Sequence, residues 1–365
     1  MALVEPFMVK TAFGMGADQA VELSADTGEA LKVKDIIIQG SDDTYVLVEI
    51  EKTTVGFFRV DGGVLGSHLF APFGFTGHSH TFALTGISRS DGAIGYEVGI
   101  YNFYGQLIPT KIVAIDNPSQ GLYRITRPIY NITPTETLLS YMIRKGWMDG
   151  YPVAEGQTFR VKPYTSGKKL NNVIIIYEKY DAGDIKKDMP NGSEASEYVF
   201  INYGQPSSAL TSSGDYEINT VKTSAEFPDF PIGDAVPSKH EIEILGVLGS
   251  ESIDYDDVDD YTYTKYLKFF KGRKVLFDDD RNGLPFYQPL VQDVTIGTIF
   301  GEGFSVVGNY SARDRREPFL PPTPLTFKAG DELKVYVTAG QATNTGEIAQ
   351  GYAEIAFIER VKILE

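Results

Sequence analysis

Three segments of this chain recur in the same order in its two halves. That order constrains the fold more than any single motif. KVKDIIIQG at 32–40 is matched by EIEILGVLG at 241–249. GQTFRVK at 156–162 is matched by GDELKVYV at 330–337, and NNVIIIYEK at 171–179 by YAEIAFIERV at 352–361. VKT also stands at both 9–11 and 221–223, a match too short to count alone. The recurring segments are rich in β-branched residues, which suit a pleated, half-buried surface. A duplicated β-rich unit is the expectation.

The rest of the chain reads as strands as well. Residues 44–51 alternate, and aromatic and β-branched residues continue through 55–60. Further strands are expected near 80–87, 94–103, 107–115, 197–203, 261–270, 290–299 and 304–308. Turn signals break them at Asp42-Asp43, Asp61-Gly62-Gly63, Asp91-Gly92 and Asn282-Gly283. Many short strands with frequent turns predict a sandwich or barrel. About eight strands per half is the number a jelly roll needs. The expected fold is therefore all-β: two tandem eight-stranded jelly rolls, residues 1–210 and 211–365, with a polar linker over 183–215.

One helix is predicted before the closing strands of the first roll. Thr133 can cap it, Pro134 fits its first position and Glu136 completes a capping box. Leu138, Leu139, Met142 and Ile143 follow at helical spacing, Gly146 suits the exit, and the lone Trp147 is placed to anchor it. The corresponding stretch of the second half, SARDRREPFLPPTPL, is too proline-rich for a long helix.

With 365 residues, each half can bury a core without metal or disulfide staples. No cysteine is present, which excludes disulfides, thiolate catalysis and sulfur-ligated metals. The formal net charge of −16 disfavours nucleic-acid binding. The basic groups Lys268, Lys271, Arg273, Lys274 and Arg313, Arg315, Arg316 read as solvated loop charge. No apolar run reaches the length of a signal peptide or a membrane span, so a soluble, cytosolically made chain is expected.

Candidate sites are sparse. His78 and His80 share one face of a strand, as metal ligands would, and cupins use such a pair. The glutamate that cupins place a few residues on is missing from TFALTG, and His68 is the nearest third histidine. A surface pair is the plainer reading. Asp278, Asp280 and Asn282 match the opening of a calcium loop, but its twelfth position is Pro289; Asn282-Gly283 equally suits a hairpin turn. Asp254, Asp256, Asp257, Asp259 and Asp260 read as a solvated acidic loop. No nucleophile elbow, phosphate loop or dinucleotide fingerprint occurs. Asn131, Asn191 and Asn309 stand in glycosylation triplets. The 22 tyrosines and 22 phenylalanines suffice for two cores and for subunit contacts.

With its paired segments and the helix before the closing strands, the chain resembles the double jelly-roll major capsid proteins of tailless icosahedral viruses, including the turreted archaeal type. The resemblance implies a structural protein without catalytic residues or cofactors. Three copies would form a pseudo-hexameric capsomer, and capsomers would tile an icosahedral shell. Its partners would be its own copies and neighbouring capsomers, with penton, spike or membrane proteins of the virion, and no direct contact to nucleic acid. It would be made in host cytoplasm and reside in the virion. Segments 183–196 and 250–262 would be loops at an outward-facing end. Two other classes stay open: a bicupin-like metal-dependent or carbohydrate-active enzyme using His78 and His80, and a glycan-binding spike or adhesin.

Overall fold

The structure is a computed structural model. It describes residues 3–40, 44–60, 81–88, 94–101, 107–108, 125–126, 137–183, 185, 197–221, 234–249, 252–257, 260–276, 283–285, 318–341, 347–348, 350 and 353–364. The described chain is all-β apart from one short helix, and its sheets face each other as in a β-sandwich.

Eight strands of the N-terminal half make two four-stranded sheets. They are β1 (Leu3–Phe13), β2 (Val21–Ser24), β3 (Glu29–Gly40), β4 (Thr44–Ile50), β5 (Thr53–Val60), β10 (Tyr151–Val153), β11 (Thr158–Pro163) and β12 (Leu170–Asp181). One sheet runs β1-β12-β3-β10 and the other β2-β11-β4-β5. Ranked first to eighth along the chain, these orders are 1-8-3-6 and 2-7-4-5. Between the fifth and sixth of them come β6 (Thr81–Ser88), β7 (Ile94–Tyr101) and β8 (Leu107–Ile108), a separate three-stranded sheet, and β9 (Ile125–Thr126).

The order recurs after residue 197. The strands are β13 (Glu197–Pro206), β14 (Gly214–Thr220), β15 (His240–Gly249), β16 (Ser252–Asp257), β17 (Asp260–Lys271), β18 (Lys274–Val275), β19 (Leu284–Pro285), β20 (Leu325–Lys328), β21 (Leu333–Gln341) and β22 (Ile355–Ile363). β13-β22-β15-β20 repeats the first sheet, and β14-β21-β17 repeats the core of the second, with β16, β18 and β19 pairing β17. Here the two sheets are joined, because Gly204–Pro206 at the end of β13 pairs with β14. Gly283, entering β19, has φ +97°, and a Cβ there would lie 2.6 Å from the Leu267 carbonyl oxygen, so only glycine fits at this position.

All three recurring segments fall on equivalent strands. The first pair lies on β3 and β15, the second on β11 and β21, the third on β12 and β22. The VKT match does not: 9–11 lies in β1, whereas Val221 follows β14. Strands had been expected at 290–299 and 304–308, which lie outside the described residues.

Three readings of the sequence are corrected. The linker expected over 183–215 holds β13 over Glu197–Pro206, longer than the strand expected near 197–203, and the start of β14 at Gly214, while residues 184 and 186–196 lie outside the described residues. Tyr203 is 1% exposed, and Leu210, fully buried, bridges Ile348. A boundary at 210 therefore falls between the paired strands β13 and β14, and the change of sheet comes between Asp181 and Glu197. The described part of the acidic run is strand rather than loop: Asp254, Asp256 and Asp257 lie in β16 and Asp260 opens β17, with Asp254 opposite Thr262 and Tyr255 opposite Tyr261, while Asp259 lies outside the described residues. Tyrosines interleaved with aspartates give the period of a strand, and that period outweighs the charge. Of the basic group at 268–274, Lys268 and Lys271 lie in β17 and Lys274 in β18, with Arg273 exposed in the turn between them; Lys268 pairs with Asp215 and Lys271 with Asp331, each at 2.8 Å.

The helix α1 spans Leu138–Arg144 and is capped by Thr137, whose hydroxyl accepts from the Ser140 N–H at 3.0 Å. Residues 133–136 lie outside the described residues. Thr137 wins the cap because its extended backbone turns its hydroxyl onto the first turn. The exit is as expected: Gly146 takes φ +71°, and the Trp147 ring meets Tyr141 edge-on at 5.9 Å.

Within each half the inner faces pack together. Tyr151 on β10 meets Phe159 on β11 at 5.9 Å, and Phe269 on β17 meets Phe357 on β22 at 5.4 Å. The expectation of a separate core per half is not met. One continuous cluster of buried apolar residues runs through both, because the halves bury part of their outer faces against each other.

Candidate functional site

Large exposed apolar side chains are concentrated on a single strand. Among the described residues they are Leu3, Val4, Phe7, Val9 and Phe13 of β1, and Leu364. Phe7 is 66% exposed and Phe13 65%. β1 is at the edge of its sheet, with β12 on one side and no described strand on the other. Pro6 is accommodated at a register shift between Glu5 and Met8, where an edge strand tolerates a missing N–H.

The register places these side chains. Lys10 lies opposite Ile175 and Ala12 opposite Val173; Ile175 and Val173 are fully buried, so this face looks into the core. Val9, Thr11 and Phe13, opposite Ile176, Ile174 and Asn172, therefore face outward. Ile37 of β3, opposite Ile174, extends the apolar outer face by one strand. Toward β10 the same sheet becomes charged, where Asp149 holds Lys32 and Lys34, each at 2.6 Å.

The C-terminal half shows a second outer face. Thr262, Thr264, Leu267 and Phe269 of β17 are fully buried and point inward. Tyr263, Tyr266 and Phe270 point the other way and are half-buried, with Tyr336 of β21 edge-on to Phe270 at 5.4 Å. Lys265 lies over the Tyr266 ring, and Lys268 is held by Asp215.

A junction between the halves uses the two remaining outer faces. Tyr45 and Phe57, on the outer face of β4 and β5, meet the Tyr203 ring of β13 at 5.5 and 5.6 Å. The Arg59 backbone N–H donates to the Tyr203 hydroxyl at 3.2 Å. Arg59 forms a buried ion pair with Glu354 at 2.9 Å. Tyr45 donates its hydroxyl proton to the same carboxylate, and the Gln205 amide donates to both groups at 2.9 and 3.2 Å. Burial pushes the Tyr203 phenol well above its ordinary pKa, so it stays neutral.

One further ionisable group is buried inside the C-terminal sandwich. Glu359, 1% exposed, lies between Phe200 and Ile244 in register. Desolvation pushes its carboxyl up to about 8, and a hydrogen bond with Asn202 opposes the shift.

His68, His78, His80, Asp278, Asp280 and Asn282 lie outside the described residues, as do Asn131, Asn191 and Asn309. His240 opens β15, with Nδ1 2.9 Å from the Ser238 carbonyl. Among the described residues no group of three or more His, Asp or Glu could hold a metal ion. No described helix is long and apolar enough to cross a membrane.

Reading the sequence missed both the β1 face and the buried junction. The first had a visible signal: LVEPFMVKTAF is apolar at odd and even positions alike, more than one buried face requires. The second had none, because Arg59 and Glu354 are joined only by the contact between halves. No family model matches the chain, and comparison with the curated proteins finds no relative.

Proposed function

We propose that this chain is a structural virion protein, a major capsid protein of the double jelly-roll type. In this reading each half is a jelly roll, three chains form a pseudo-hexameric capsomer, and capsomers tile an icosahedral shell. The sheet order carries the proposal: 1-8-3-6 against 2-7-4-5 is the jelly-roll order, and its principal pairings recur in the second half. The outer faces suit the task. A lone soluble chain seldom leaves a strand such as β1 with Phe7, Val9 and Phe13 open to water, whereas a subunit that is buried on assembly does. The reading needs no catalytic residue, and a chain of net charge −16 stays clear of nucleic acid before assembly. The protein would be made in host cytoplasm and end in the virion.

The mass of the purified protein in solution tests this, measured by sedimentation over a range of concentrations. A stable trimer is the expected outcome. A chain that stays monomeric at high concentration would end the proposal.

A further inference from the structure

We infer that Glu359 is a proton-operated lock on the joint between the two halves. While it holds its proton, β13 and β22 stay pinned to each other and to the first half. When it loses the proton, both strands loosen and the joint loosens with them. The inference does not require the chain to assemble, so it stands apart from the capsid reading.

The two strands that hold the buried acid also hold the joint. On β13, Asn202 turns inward beside Glu359, and the next residue, Tyr203, turns outward to Tyr45, Phe57 and the Arg59 N–H. Neighbouring residues of a strand face opposite sides of its sheet, so a shift of Asn202 is a shift of Tyr203. Gln205, also outward, donates to Tyr45 and Glu354. On β22, Glu359 turns inward, while Glu354, just before the strand, pairs with Arg59 of the first half. β13 and β22 pair without a break from Glu197 opposite Lys362 to Gly204 opposite Ile355, so the two strands move as one.

The interior around Glu359 suits the acid and not its anion. Phe200 and Ile244 flank it in register, and Phe357, on the same face, meets Phe269 of the opposite sheet. Among the described residues, Glu359 Oε2 and Asn202 Nδ2 are buried without a hydrogen-bond partner. A neutral carboxyl tolerates that state far better than a carboxylate. By register, Tyr198 of β13, Tyr216 of β14, His240 of β15 and Lys271 of β17 also stand on the inner faces. The Tyr216 hydroxyl is bound to Ser212, His240 Nδ1 lies 2.9 Å from the Ser238 carbonyl, and Lys271 pairs with Asp331 at 2.8 Å. Among the described residues, none of them acts on Glu359, whose titration answers to burial and to Asn202. The acid ionises near 4.5 when exposed and near 8 when enclosed, so rising pH favours any opening that brings it to water. Between pH 6 and pH 9 that opening gains about a hundredfold.

Amide hydrogen exchange of the full chain at pH 6 and pH 9, read by mass spectrometry and corrected for the intrinsic rate, tests this. Peptides over β13 and β22 report the lock, those over β4 and β5 the joint, and those over β3 and β12 serve as reference. In the wild type, protection of lock and joint should fall about a hundredfold at pH 9 while the reference holds. Glu359→Gln and Glu359→Met, neutral at every pH, should keep their protection; two variants are used in case one does not fold. The regional pattern in the wild type decides even without them. Loosening of β13 and β22 with β4 and β5 unchanged would overturn the link to the joint. Equal loss in the reference strands, equal loss in the neutral variants, or no loss in the wild type would overturn the lock itself.

Discussion

At the scale of the residue, Glu359 is, among the described residues, a side chain whose environment strongly opposes its usual charge. It is enclosed between Phe200 and Ile244, and its carboxyl titrates near 8. An acid whose folded pKa is raised holds a proton that the unfolded chain has already released. Stability therefore falls as pH rises from the ordinary glutamate value of 4.5 up to about 8, and no further beyond. The expected cost at the alkaline end is several kcal/mol, at about 1.4 kcal/mol per pH unit. Glu359→Gln, which is neutral at every pH, should remove this slope and be the more stable protein at pH 9. Urea unfolding of both proteins at pH 5, 7 and 9 checks it; equal slopes would show that Glu359 is solvated. A glutamate in IAFIERVKI carries no mark of burial in the sequence, since alternation alone does not say which face meets the core.

At the scale of the element, the strands were largely legible and their partners were not. β3, β11, β12 and their counterparts declared themselves by composition and by recurrence. The hairpin at β16–β17 was misread because local charge was weighed above period. The junction of β5 with β13 shows what an element gains from its neighbour. Arg59→Met alone leaves the Glu354 carboxylate buried without its cation and should cost about 3–5 kcal/mol. Arg59→Met combined with Glu354→Met should recover most of that loss, because an apolar pair of similar volume needs no desolvation of charge. A double-mutant cycle by urea unfolding measures this. Additive losses would mean that the pair is not coupled. At the helix, Thr137→Ala should cost about 1 kcal/mol, the usual value of a cap. A thermal melt of the variant reads that loss; an unchanged midpoint would place the cap on another residue.

At the scale of the whole molecule, the halves are alike in sheet order but not in surroundings. β13 is covered on its outer face by the first half, while the matching face of β1 is open. Replacing Phe7 and Phe13 by serine should leave the fold nearly unchanged, because both side chains are about two-thirds exposed in the single chain. It should weaken assembly at least tenfold, since each exposed phenylalanine is worth on the order of 1–2 kcal/mol when buried. Sedimentation across concentrations reads the change in mass, and circular dichroism confirms that the sheets persist. Assembly at wild-type strength would mean that copies meet elsewhere.

Composition and periodicity, read in order along the chain, were enough to determine an all-β protein with a doubled pattern, the helix exit at Gly146, and the identity of the strands that recur. These are local properties, set by the pleat, by β-branching and by turn residues, and each is written within a few positions. Which strands pair, that the two halves share one buried cluster, and that Arg59 meets Glu354 while Phe13 meets water were decided only by the tertiary structure. Those outcomes join residues hundreds of positions apart, and burial depends on what lies across from a side chain rather than on what stands beside it.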